Sequence, residues 1–155
     1  MTNRPYTWVV NAGQGMRVGD AGTFFATMQF RVIDTHPASN DASQSFRVST
    51  LGYLYNLEGT DGTAAWRIHW HRDSVSPVTE PHLHFPPNLK LHYACERMTF
   101  EIAIRWCIEA GAPVRHSADV ALQELAVTEA PHLLHRSWTS PLDPGYLEAT
   151  QAGRP

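Results

Sequence analysis

Apolar and polar residues alternate with a period of two through the first half of the chain and switch to a helical spacing only near residue 99. In a strand, residues two apart share a face, so such alternation predicts half-buried strands. Residues 23–34 (TFFATMQFRVID) put Phe24, Ala26, Met28, Phe30 and Val32 on one side and Thr27, Gln29 and Arg31 on the other. Residues 46–57 repeat the pattern with Leu51, Tyr53, Tyr55 and Leu57, and residues 63–71 with Trp66, Ile68 and Trp70 against Arg67, His69 and His71. Between the last two, Glu58-Gly59-Thr60-Asp61-Gly62 has the glycine and aspartate content of a hairpin turn. Shorter strands are expected at residues 6–10 (YTWVV) and at His82-Leu83-His84-Phe85, the latter stopped by Pro86-Pro87, with residues 89–94 continuing extended.

The period then changes. Phe100, Ala103, Ile104, Cys107 and Ile108 lie on one helical stripe, with Thr99 placed to cap it and Gly111 to end it after about Ala110. Ser117, followed by Asp119 in the first turn, predicts a second helix to about Ala130 with Val120, Ala121, Leu125 and Thr128 inward. Strands first and helices last give an α+β fold: an antiparallel β-sheet with two C-terminal helices packed on one face. The helices are expected to cover Phe24, Met28, Phe30, Trp66, Ile68 and Trp70, leaving Gln29, Arg31, Arg67, His69 and His71 on the other face. Residues 1–130 read as one domain, and 131–155, opening on Pro131, as an extended C-terminal tail.

Composition adds limits. At 155 residues and 43% hydrophobic, the chain can bury a core without disulfides or a structural metal. Only 17% of residues are charged, which opposes disorder, and a net charge of −3 opposes binding to nucleic acid by bulk charge alone. Cys95 and Cys107 form no C-x-x-C motif, which points to a reducing, cytoplasmic setting. The N-terminus lacks the apolar run of a signal peptide, and no segment has the eighteen apolar residues of a membrane span. Gly13 to Gly19 (GQGMRVG) departs from the spacing of a dinucleotide loop.

The chemistry is concentrated in histidine. Four of the nine histidines, His69, His71, His82 and His84, form two H-x-H pairs on predicted strands, with His92 close behind. If the two strands pair across the 72–81 loop, all four rings share one surface. Imidazoles so arranged suit two kinds of site. In one, His71, His82 and His84 exchange protons with a substrate whose phosphate is held by Arg72 or Arg97. In the other, His69, His71, His82 and His84 ligate a divalent transition metal, with Glu80 near enough to add a carboxylate. A third reading makes the polar face of the sheet the interaction surface of a non-catalytic regulatory or binding module. No G-x-S-x-G, H-E-x-x-H or Walker motif competes with these.

Two family resemblances bear on the choice. The run His69-Trp70-His71 to His82-Leu83-His84, with Glu80 between, resembles a cupin metal motif, although eight residues separate His71 from Glu80 and Pro87 stands in the glycine position. The segment 66–110 is similar in layout to TumE-type toxin–antitoxin proteins over Trp66 to His71, Pro81-His82-Leu83-His84, His92 and the Arg97 to Ile108 helix. Thr79-Glu80-Pro81-His82 takes the place of the D-N-x-P-H-H signature of that family. The second resemblance implies a toxin-like phosphodiesterase or ribonuclease with an RNA substrate, a cognate antitoxin partner and a possible homodimer.

Overall fold

The computed structural model describes residues 4–34, 46–71 and 78–135. Among these residues seven strands, β1 (Pro5–Val9), β2 (Met16–Arg17), β3 (Thr23–Asp34), β4 (Phe46–Glu58), β5 (Ala64–His71), β6 (His82–His84) and β7 (Tyr93–Ala94), are followed by α1 (Phe100–Glu109) and α2 (Ala118–His135). The fold is α+β, as the alternation predicts. All pairings are antiparallel, in the order β1-β3-β4-β5-β6-β7, with β2 also on β3.

The long β3 and β4 form the centre of the sheet because twelve and thirteen residues of alternating pattern pair along almost their whole length. The pairing slips by one residue between Gln29 and Phe30, opposite Gly52 and Thr50. Beside this bulge, a Cβ built on Gly52 would lie 2.8 Å from the carbonyl oxygen of Trp70, so a side chain there would drive β4 and β5 apart.

The core lies on the helix side. Phe24, Ala26, Tyr53, Tyr55, Leu57, Trp66, Ile68 and Trp70 are buried there with Ala103 and Cys107 of α1. Its aromatic rings meet edge-on, as between Trp66 and Trp106 (5.5 Å) and between Tyr55 and Phe100 (5.9 Å), or stacked, as between Tyr53 and Tyr55 (4.9 Å). Thr99 caps α1 as expected, its hydroxyl accepting from the Ile102 amide at 3.2 Å. Gly111 follows the helix with φ +97°, a left-handed conformation that favours glycine.

α2 departs from expectation at its end. It continues past Ala130 and through Pro131 to His135, so residues 131–135 are helix and not the start of an extended tail. Residues 136–155 lie outside the described chain. A proline inside a helix removes one backbone hydrogen bond, but polar contacts to α1 flank Pro131 on both sides. Before it, Glu129 accepts from the Thr99 hydroxyl at 2.7 Å and meets Arg105 at 3.5 Å. After it, His132 lies 3.5 Å from Glu101. These tertiary contacts outweigh the local break. Of the residues expected to face inward, Ala121 and Leu125 are partly buried, whereas Val120 and Thr128 are exposed.

A candidate histidine metal centre

The site grows out of the alternation in β5. Ala64, Trp66, Ile68 and Trp70 are buried toward α1, which turns Arg67, His69 and His71 to the opposite face. β6 pairs with β5 so that His82 stands opposite His69, and His84 opposite Arg67. Residues directly across an antiparallel pair project to the same side, so the two H-x-H pairs meet on the face away from the helices. Leu83, between them, packs on the core. The chain then leaves β6 and returns along β7, carrying His92 back over the cluster.

Five imidazoles are thereby gathered. The His69 ring centroid lies 4.5 Å from that of His84, 4.7 Å from that of His82 and 5.8 Å from that of His71. The His71 and His82 centroids are 5.4 Å apart, and those of His82 and His84 5.0 Å. His92 is 4.7 Å from both His82 and His84. Although β6 lies near the sheet edge, His82 is 1% exposed and His84 4%, while His92 is open to solvent.

The hydrogen bonding is unusual for so buried a polar cluster. His82 Nδ1 lies 2.7 Å from the carbonyl oxygen of Glu80. A carbonyl only accepts, so Nδ1 carries the proton and Nε2 keeps its lone pair. That Nε2 has no hydrogen-bond partner, nor do Nε2 of His69 and both ring nitrogens of His84. Buried polar atoms are normally satisfied, and leaving one unsatisfied costs on the order of 1–3 kcal/mol. These four nitrogens belong to three neighbouring neutral rings, each with one lone pair, so the cluster offers up to three electron pairs there to a ligand.

Electrostatics holds three of the rings, His69, His82 and His84, neutral. Burial, reinforced by the nearby His84, His82 and His71 rings and the Arg67 guanidinium, lowers the pKa of His69 to about 3. Burial also lowers His82; the bond to Glu80 opposes this, and His92 and His71 add to it. His84 is lowered by burial and then by His82 and His92. The backbone of Leu89 and Leu91 opposes the shift of His84 without hydrogen-bond geometry to its ring nitrogens.

Neutral imidazole is the form that binds metal. Two trios have ligand nitrogens all within 4.8 Å of one another: His69, His71 and His82, and His82, His84 and His92. Tetrahedral nitrogens about 2.0–2.1 Å from zinc would stand roughly 3.4 Å apart, so each trio needs only a small inward movement of its rings. The Glu80 carbonyl fixes the His82 tautomer and ring plane, the role a partner behind a metal-bound histidine performs. An all-imidazole set suits zinc, copper, nickel or iron better than magnesium or calcium.

The other residues expected at the site fare differently. Glu80 contributes its backbone oxygen; its side chain is exposed and belongs to neither trio. Arg97 is not brought to the histidines. Its guanidinium stacks 4.1 Å from the centre of the Trp70 ring, and the neighbouring Met98 amide donates to the Tyr53 hydroxyl. Trp70 and Tyr53 belong to the helix-side core, so the chain has crossed the sheet edge before Arg97. Arg72 lies outside the described residues. Arg67, on the histidine face, stands directly across from His84, with Nε donating to Asn56 Oδ1 at 3.4 Å. Asn56 in turn donates to Glu58 at 2.8 Å. Counting strand positions identifies Arg67 as sharing the face of His69; the registration of β6 that sets it opposite His84 is not readable from the sequence.

No helix among the described residues is long and apolar enough to cross a membrane. No protein-family model, curated protein or solved structure matches this chain.

Proposed function

We propose that the protein is a transition-metal protein whose ion is held by three imidazoles, leaving a coordination position open for hydrolysis of an anionic ester. One observation carries the reading: His69, His82 and His84 are held neutral and carry buried ring nitrogens without a hydrogen-bond partner, and they converge with His71 and His92 from two strands and the following segment. Three protein nitrogens with a fourth position open is the arrangement of catalytic zinc sites, in which the ion activates water and polarises the substrate.

The chain's own residues supply the rest. His82 is oriented by the Glu80 carbonyl. Arg67, braced by Asn56 and Glu58, places a permanent positive charge on the same face and favours an anionic substrate such as a phosphodiester. A second reading is a metal-free ribonuclease using these histidines for acid and base. His69, His82 and His84 are held in the neutral form, so none of the three is its proton-charged acid. A phosphodiesterase, including one acting on RNA, remains within the proposal as a metal-dependent enzyme.

The test is elemental analysis of protein purified without an affinity tag, paired with turnover of bis(p-nitrophenyl) phosphate. The expected result is about one equivalent of transition metal and turnover that a chelator abolishes and added zinc restores. Full turnover by metal-stripped protein would overturn the metal assignment and return the acid–base reading to first place.

A further inference from the structure

Building on the metal centre proposed above, we infer that the five histidines form two overlapping three-imidazole positions sharing His82, so that the protein holds one tightly bound ion, in either position but never both. The first position is made by His69, His71 and His82, the second by His82, His84 and His92. Neither trio is complete without His82.

His82 can serve only one ion at a time. Its Nδ1 proton is committed to the Glu80 carbonyl at 2.7 Å, and Nε2 is the single lone pair it offers. Bridging two ions would require removing that proton and giving up the bond that orients the ring. With His82 assigned to one position, the other keeps only two imidazoles. No carboxylate belongs to either trio among the described residues, so nothing there offsets the repulsion between two dications at such short range. Two-metal enzymes hold their ions roughly 3.5–4 Å apart, a spacing that calls for the anionic ligands this centre lacks.

The two positions differ in setting. His69 and His71 are half-buried on the sheet face, whereas the second trio pairs buried His84 with solvent-exposed His92. The His71 and His92 rings stand 5.4 and 4.7 Å from the His82 ring. An ion held beside His92 would reach the sheet position by exchanging two ligands while keeping His82. Whichever trio it occupies, two uncoordinated imidazoles remain beside it.

Cobalt(II) titration of the metal-stripped full chain, read by visible absorption and calorimetry, tests this. Wild type is expected to bind one tight equivalent. His71→Ala and His92→Ala each leave one trio intact, so each should bind one equivalent with less than about 10-fold loss, and the two should give different spectra that together account for the wild-type spectrum. His82→Ala and the double variant His71→Ala/His92→Ala should both lose more than about 100-fold, the most that loss of a partner behind a ligand costs. Should His82→Ala fail to fold, the spectra of the two single variants decide the matter. Two tight equivalents in wild type, or one single variant indistinguishable from wild type while the other binds nothing, would overturn the shared pivot and leave the metal centre standing. No cobalt uptake by folded wild type would overturn the metal centre itself.

Discussion

The two faces of β5 are built from alternate residues of one eight-residue strand and follow opposite rules. Toward α1, Trp66, Ile68 and Trp70 interlock with apolar neighbours. Away from it, Arg67, His69 and His71 join His82 and His84 in a layer nearly as dry around β6 but polar, in which buried ring nitrogens of His69, His82 and His84 lack a hydrogen-bond partner. The first face gains stability from burial. The second gives it up, because desolvated imidazoles without partners oppose folding until something binds them. The comparison teaches that burial alone does not identify a core; the partner list of the buried atoms separates an apolar face that stabilises from a polar one that does not.

Adjacent positions on β5 should therefore respond differently to the same truncation. Ile68→Ala, at a fully buried site, is expected to cost roughly 2–5 kcal/mol in urea unfolding. His69→Ala in metal-stripped protein should cost well under about 1 kcal/mol, since it removes a nitrogen that has no partner. Equal losses at the two positions would erase the distinction between the faces.

Zinc should stabilise the histidine face next most strongly. At a free concentration 100 times the dissociation constant, a ligand that binds only the folded state adds about 2.7 kcal/mol. Thermal unfolding should shift upward with zinc in wild type and stay unmoved in His82→Ala.

A smaller effect is expected from His84→Leu without metal. Replacing a 4% exposed ring whose nitrogens are both unpartnered should leave stability unchanged or raise it by up to about 1 kcal/mol. A loss above about 2 kcal/mol in chemical denaturation would show that the ring is a structural element of the sheet edge.

The last prediction concerns pH. His69, His82 and His84 have folded-state pKa values below the ordinary 6.5. Between that value and the folded one, the unfolded chain binds more protons than the native chain, so protons favour unfolding. Metal-free stability should be full above pH 6.5 and fall as pH drops toward about 3, where His69 itself protonates. His69→Leu should flatten part of that slope, measured as denaturation midpoint against pH.

Much of this was legible in the residue pattern, for physical reasons that also mark where legibility ends. Period-two alternation over 23–34, 46–57 and 63–71 carries the long strands and their faces, because a sheet covered on one side imposes that period. It carried the convergence of His69, His71, His82 and His84 only through the added premise that β5 and β6 pair, which the registration of His69 with His82 supplies. His92 was within reach by proximity in the chain. Arg97, five residues further, was not, because the crossing to the core side depends on β7 pairing with β6 and on the Met98 to Tyr53 bond. The part played by Glu80 was hidden because a backbone carbonyl has no sequence signature. The extension of α2 through Pro131 was hidden because it rests on buried Glu129 and on His132, polar residues that a hydrophobic stripe does not reveal.

The central claim is that these imidazoles ligate a transition metal, and X-ray absorption at the zinc edge of the zinc-loaded protein tests it most directly. The account predicts three imidazole nitrogens at about 2.0–2.1 Å, with the outer-ring scattering that only histidine gives. A shell of oxygen alone, with no imidazole scattering, would contradict it.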